Sequence, residues 1–127
     1  MEDLVKEFSV LINNEGIILD DLSDKQAVLR KAIIEKDWTL LVDMINEVNQ
    51  LSESFQVSDI RRDEIQNQLT SEEIKPFLDK LSTLRTKLLK CKVENQVISN
   101  YVNVTKQFIS EVVEKALPQT RNKNYTK

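Results

Sequence analysis

The sequence predicts an all-α fold in which an antiparallel helical hairpin packs with one long third helix as a coiled-coil-like bundle. Three observations predict it. Apolar residues recur at steps of three and four along most of the 127-residue chain, the period of a helix with one buried face. The chain holds one glycine and two prolines, too few for a hairpin-rich sheet, whose primed turns and bulges need residues that tolerate positive φ. Segments lacking this period are short, so the first two helices must fold back on one another and lie against the longer third. Leu, Ile, Val and Phe make up about a third of the chain, above the roughly 20% below which chains stay disordered. One domain is expected over residues 1–117, with helices at about 3–35, 38–69 and 71–117 and a flexible polar tail at 118–127.

The first helix places Leu4, Phe8, Leu11, Ile18, Leu22 and Leu29 on its apolar face. Gly16 lies inside it at a cost of about 1 kcal/mol relative to Ala. Ser23 and Gln26 stand at capping-box spacing, so a break near Asp20–Ser23 is the alternative. One long helix, with or without a kink, is preferred because no turn residues accompany that site. Lys36-Asp37-Trp38 is the first reversal, with Asp37 able to accept from the free amides of the next helix. Trp38, Leu41, Ile45, Val48 and Phe55 mark the second helix's core face, and Trp38 reads as an anchor in that core. Beyond Phe55 the pattern thins to Val57, Ile60 and Ile65, which predicts a frayed or solvated end.

Thr70 and Glu73 have the spacing of a capping box, which marks a helix start. Pro76 disfavours helical geometry at Lys75, so the main helix starts there or one leading turn precedes a kink. From Phe77 to Leu117 neither Gly nor Pro occurs, enough for a rod of roughly 60 Å that Pro118 ends. Phe77, Leu81, Leu84, Leu88, Cys91, Asn95, Ile98, Val102, Thr105, Ile109, Val112 and Ala116 form a seam at alternating steps of four and three. Asn95 and Thr105 interrupt it, and a polar seam residue can fix register. A second stripe, Val93, Val97, Tyr101, Val104 and Phe108, runs beside the seam in the C-terminal half. With Val113 the two stripes cover roughly 200° of the circumference, more than the roughly 100° one neighbouring pair needs. The surplus reads either as core, closed by both early helices or by a second copy of the chain, or as a surface for an amphipathic helix of another protein. A membrane-surface role fits less well, because the polar face has few lysines. The candidate substrate-binding residues are Val97, Ile98, Tyr101, Val104, Phe108, Ile109, Val112 and Val113, bordered by Asn100, Asn103 and Gln107.

Composition argues against chemistry. The chain has no histidine to act as base or metal ligand, and one cysteine, Cys91, which cannot close an internal disulfide. The carboxylate pairs Asp20-Asp21 and Glu72-Glu73 diverge by about 100° on a helix, so they read as solvated faces or helix starts. No Gly-rich phosphate loop is present. No enzyme activity, cofactor or metal is expected. Residues 1–73 hold 17 acidic and 7 basic side chains, a net of −10; residues 74–127 hold 4 and 11, a net of +7. This asymmetry reads first as internal pairing between the two parts, and second as a basic half that meets an acidic partner. The basic residues are scattered, which argues against nucleic acid. No apolar run exceeds three residues, as in Val10-Leu11-Ile12, whereas a membrane span needs about 20. A cytoplasmic protein is expected, consistent with an unpaired cysteine.

The segment Arg30-Lys31-Ala32-Ile33-Ile34-Glu35-Lys36-Asp37-Trp38-Thr39-Leu40-Leu41 resembles the first reversal of the FlgN family of flagellar export chaperones. The stretch from Glu94-Asn95-Gln96-Val97-Ile98-Ser99-Asn100-Tyr101-Val102 to Phe108-Ile109 is similar to that family's late helix, which ends near a C-terminal Tyr, here Tyr125. The resemblance spans nearly the whole chain. It implies a chaperone of bacterial flagellum biogenesis that holds hook–filament junction proteins (FlgK/FlgL-like) unpolymerised. It implies delivery of them to the cytoplasmic domain of the type III export gate, with Tyr125 docking that domain. The rival readings are a structural or adaptor coiled coil that homo-oligomerises and a helical chaperone for a different export substrate.

Overall fold

A computed structural model describes residues 2–116, with side chains at 3–101 and 103. It is all-α, with no strand among the described residues. The first helix, α1 (Glu2–Glu35), runs unbroken through Gly16 and through Asp20–Ser23. It ends at Lys36, whose φ of 58° is left-handed. There the Lys36 N–H donates to the Ile33 carbonyl (3.3 Å) and the Asp37 N–H to the Ala32 carbonyl (2.9 Å), satisfying two carbonyls the helix leaves free. Asp37 then caps α2 (Trp38–Gln68) as expected, accepting the Leu40 N–H at 3.2 Å.

The reversal after α2 is a complete capping box. The Glu73 N–H donates to Thr70 Oγ1 (3.2 Å) and the Thr70 N–H to Glu73 Oε1 (2.9 Å). One turn, α3 (Ser71–Ile74), follows, then a 3-10 turn over Lys75–Phe77 that contains Pro76, and then α4 (Leu78–Ala116). The leading-turn alternative is therefore the one adopted.

α1 is the central element. It packs along α2 on one side and α4 on the other, while α2 and α4 approach each other little. α4 runs parallel to α1: Phe8 meets Phe77 edge-to-face with centroids 5.2 Å apart, Asp20 meets Lys87, and Gln26 meets Asn95. The buried positions of α1 are Phe8, Ile12, Glu15, Leu19, Leu22, Gln26, Leu29 and Ile33, alternating by four and three, with Ala32 beside them. Leu4, Leu11 and Ile18, assigned to this face by the sequence, are only half-buried. The buried line serves two neighbours, and two of its members are polar.

The core is split in two. The larger part joins Leu19, Leu22, Leu29 and Ile33 to Val48, Phe55, Leu84, Cys91 and Ile98. The smaller joins Phe8 and Ile12 to Ile65 and Leu69. Two expectations for α2 are overturned here. Its C-terminal third is not a frayed end: Ile65 is fully buried and Leu69 nearly so, because Phe8, Ile12 and Phe77 gather around them. Trp38 is not a core anchor but 47% exposed, and Ile45 is 39% exposed. The seam of α2 passes through Leu41, Met44, Val48, Leu51 and Phe55 instead. Between the two cores lies a polar layer built on Glu15, Asp59 and Arg62.

Candidate protein-binding surface

At the turn end of the bundle, several large apolar side chains face water. Trp38, Val42 and Ile45 stand four and three apart, one stripe on α2 beside its buried seam. Ile34, in the last turn of α1, is 61% exposed. On α4, Val93 is 65% and Tyr101 40% exposed. α2 carries more apolar residues in its first eleven positions than one face can bury, and α4 comes too little toward it to cover the rest. That surplus is the signal in the sequence for Trp38, Val42 and Ile45; the apolar spacing by itself puts Trp38 and Ile45 on the core face and does not single out Val42.

The position of α4 against this end is set by buried polar contacts. Gln26 is wholly buried on α1; its amide donates to the Cys91 carbonyl at 3.0 Å and to Asn95 Oδ1 at 2.6 Å. The Cys91 thiol reaches the Leu19 carbonyl at 3.6 Å, and burial pushes that thiol above its usual pKa. One turn further on, Arg30 contacts Glu94 at 3.5 Å and lies 5.8 Å from the centre of the Tyr101 ring, a cation–π distance. Five residues separate Arg30 from the end of α1, whereas fifteen separate Tyr101 from the end of α4.

Of the binding residues expected from sequence, Tyr101 is exposed, Val97 is half-buried, and Ile98 is buried within the larger core. Asn100 and Asn103 are exposed, with Asn100 accepting from Gln96 at 3.1 Å. The side chains of Val104, Phe108, Ile109, Val112 and Val113, and all of Tyr125, lie outside the described residues. Asn95, the polar seam residue, has its partner in Gln26.

No family model, curated protein or solved structure matches the chain.

Buried charge is concentrated in the layer between the two cores. Glu15 is fully buried, and Arg62 Nε stands 2.8 Å from its Oε2, off the hydrogen-bonding line, so both Glu15 oxygens lack a donor. Arg62 also contacts Asp59 at 2.6 Å and donates to Gln66 at 2.8 Å. Burial is the main reason the Glu15 carboxyl is pushed up to about 8, and hydrogen bonding with the Asp59 carboxylate adds to it, outweighing Arg62. On the surface, Arg61 holds Glu7 below the usual carboxylate range through contacts of 2.7 and 3.0 Å. Among the described residues no cluster of carboxylates and cysteine has metal-binding geometry, and no helix is long and apolar enough to cross a membrane.

Proposed function

We propose that this protein is a cytoplasmic flagellar export chaperone that binds hook–filament junction subunits, prevents their premature assembly and delivers them to the type III export gate. The observation that carries this reading is the set of large apolar side chains exposed at the turn end of the bundle, Trp38, Val42 and Ile45 on α2 and Val93 and Tyr101 on α4. A solvated surface of this kind suits the apolar face of an amphipathic helix. The parallel register of α1 and α4 supports extending it along α4, since α4 has ten more residues beyond their last contact than α1. The identity of the partner rests on the resemblance of residues 30–41 and 94–109 to the FlgN family.

The mechanism is cover and release. The chaperone occupies a subunit helix that would otherwise self-associate, and the gate takes over the complex. Val97, Val104, Phe108, Ile109, Val112 and Val113 extend the proposed surface, and Tyr125 is proposed to dock the gate. Ile98 contributes by holding α4 on the core.

The test is titration of the chaperone with the C-terminal segment of a junction subunit. Tyr101→Ala with Phe108→Ala should abolish capture while keeping helicity, because buried aromatic anchors each carry about 2 kcal/mol or more of binding. Tyr125→Ala should leave capture intact and lower export. A folded double variant that captures normally places the site elsewhere.

A further inference from the structure

The polar layer interrupts the seams of α1 and α2 at the same height. On α1, Glu15 stands between Ile12 of the smaller core and Leu19 of the larger. On α2, Asp59 and Arg62 stand between Phe55 of the larger core and Ile65 of the smaller. The Arg62 guanidinium touches both carboxyl groups, Glu15 at 2.8 Å and Asp59 at 2.6 Å, so two acids share one base. Exposure is graded across the layer: Asp59 is partly open to water, Arg62 less so and Glu15 not at all. Two cavities of about 260 and 250 Å³ between α2 and α4 reach Asp59, and the first also reaches Arg62. The Ser58 hydroxyl is buried without a partner on the same stretch of α2. The other charges near the layer are peripheral. On α4, Arg85 lines the first cavity but is exposed, where water screens it. Asp79, Lys80 and Lys87 of α4 line a separate cavity against α1, where Lys87 is held by Asp20. On α2, Arg61 is engaged at the surface by Glu7 and Glu64.

We infer that this layer is a proton-operated latch: with the Glu15 carboxyl protonated it clamps residues 59–69 of α2 and its cap to α1, and loss of the proton lets that stretch come away while the larger core stays closed. A protonated Glu15 carries a hydroxyl that can donate to Asp59, and the layer is then neutral, one carboxylate against one guanidinium. Without the proton, neither Glu15 oxygen has a donor, and a second negative charge sits where water does not reach. Opening hydrates that charge. Among the described residues four buried apolar side chains make up the smaller core that this opening separates, whereas nine make up the larger core. The smaller core is therefore the part that yields first, as a local opening that uncovers Ile65 and Leu69. The sign follows from burial, which favours the protonated form in the fold. The clamp is complete at acid pH and weakens as pH rises towards the folded value of Glu15. The latch lies away from the turn-end surface and does not depend on the chaperone reading.

The experiment is amide hydrogen exchange on the full chain, read by mass spectrometry of peptic peptides, with labelling times scaled to the intrinsic exchange rate at each pH. Two conditions, about pH 6 and about pH 9, stand on either side of the value of about 8 to which burial raises the Glu15 carboxyl. Peptides from residues 58–69 should be less protected than those from 41–55 at both. Protection of 58–69 should fall on the order of a hundredfold from the lower pH to the higher. Glu15→Gln, similar in size and uncharged, should hold that protection constant. Asp59→Asn removes a carboxylate that raises Glu15 and leaves Arg62 to it alone, so the fall should shrink to about tenfold or less. Equal protection of the two segments, a wild type whose 58–69 protection ignores pH, or an unchanged fall in either variant would overturn the inference. Subunit capture is read in a separate titration, so failure here leaves the chaperone reading standing.

Discussion

Gln26 on α1 and Asn95 on α4 meet at 2.6 Å toward the turn end of the bundle, and the same Gln26 amide also donates to the Cys91 carbonyl. Apolar seams alone permit α4 to slide by a heptad, since every layer resembles the next. A buried amide that finds its acceptors at one height removes that freedom. The contact thereby fixes how far α4 extends past the hairpin.

Gln26→Ala should destabilise the protein by about 2–4 kcal/mol, combining a cavity with two lost hydrogen bonds. Gln26→Leu should cost much less, within about 1 kcal/mol, because Gln26 Oε1 is itself buried without a donor and leucine removes that burden. Urea denaturation of the two variants measures the contrast. Equal losses would mean that the amide's hydrogen bonds, not the volume it fills, dominate.

Glu15 sets the pH dependence. Its carboxyl is raised in the fold to about 8 from an ordinary 4.5, so the folded state holds a proton that the unfolded chain has released. That stabilisation is complete below the unfolded value and declines as pH rises, with a slope of at most about 1.4 kcal/mol per pH unit, until it levels off above the folded value. The chain has no histidine to obscure this window. Stability should therefore fall between about pH 5 and 8, and Glu15→Gln, uncharged throughout, should flatten the decline. Denaturation midpoints taken across that range give the slope directly.

Two backbone positions carry avoidable costs of opposite kinds. Gly16 is helical, and a Cβ added there would meet only Lys87 Nζ, at 3.9 Å. Gly16→Ala should stabilise by about 0.5–1 kcal/mol. Lys36 is left-handed with a Cβ, where glycine is the favoured residue, so Lys36→Gly should give a gain of similar size. Thermal melts should rise by a few degrees for each. Lys36→Ala, which keeps the Cβ, should not rise.

Trp38 is the chain's sole tryptophan and is 47% exposed. Its fluorescence should be that of a partly hydrated indole, accessible to a soluble quencher in the free protein. Binding of a junction-subunit segment at the proposed surface should shift the emission to the blue and protect it. Trp38→Ala should change stability by less than about 1 kcal/mol, whereas an anchor in the core would cost about 3–5 kcal/mol.

The sequence by itself determined what is local. The caps at Asp37 and Thr70 are contacts across three residues, and both have the predicted geometry. The seam of α4 through Leu84, Cys91 and Ile98 was equally legible, because one helix face repeats every 3.5 residues whatever it packs against. Tertiary structure decided which of several apolar stripes is buried. α1 has neighbours on two sides and buries Glu15 and Gln26, which no hydrophobic pattern marks. Ile65 and Leu69 become core because Phe8 and Phe77 converge on them from distant parts of the chain. Trp38 stays in water because α4 does not close on α2, and the presence or absence of a neighbour is a property of the assembled bundle that no single helix encodes.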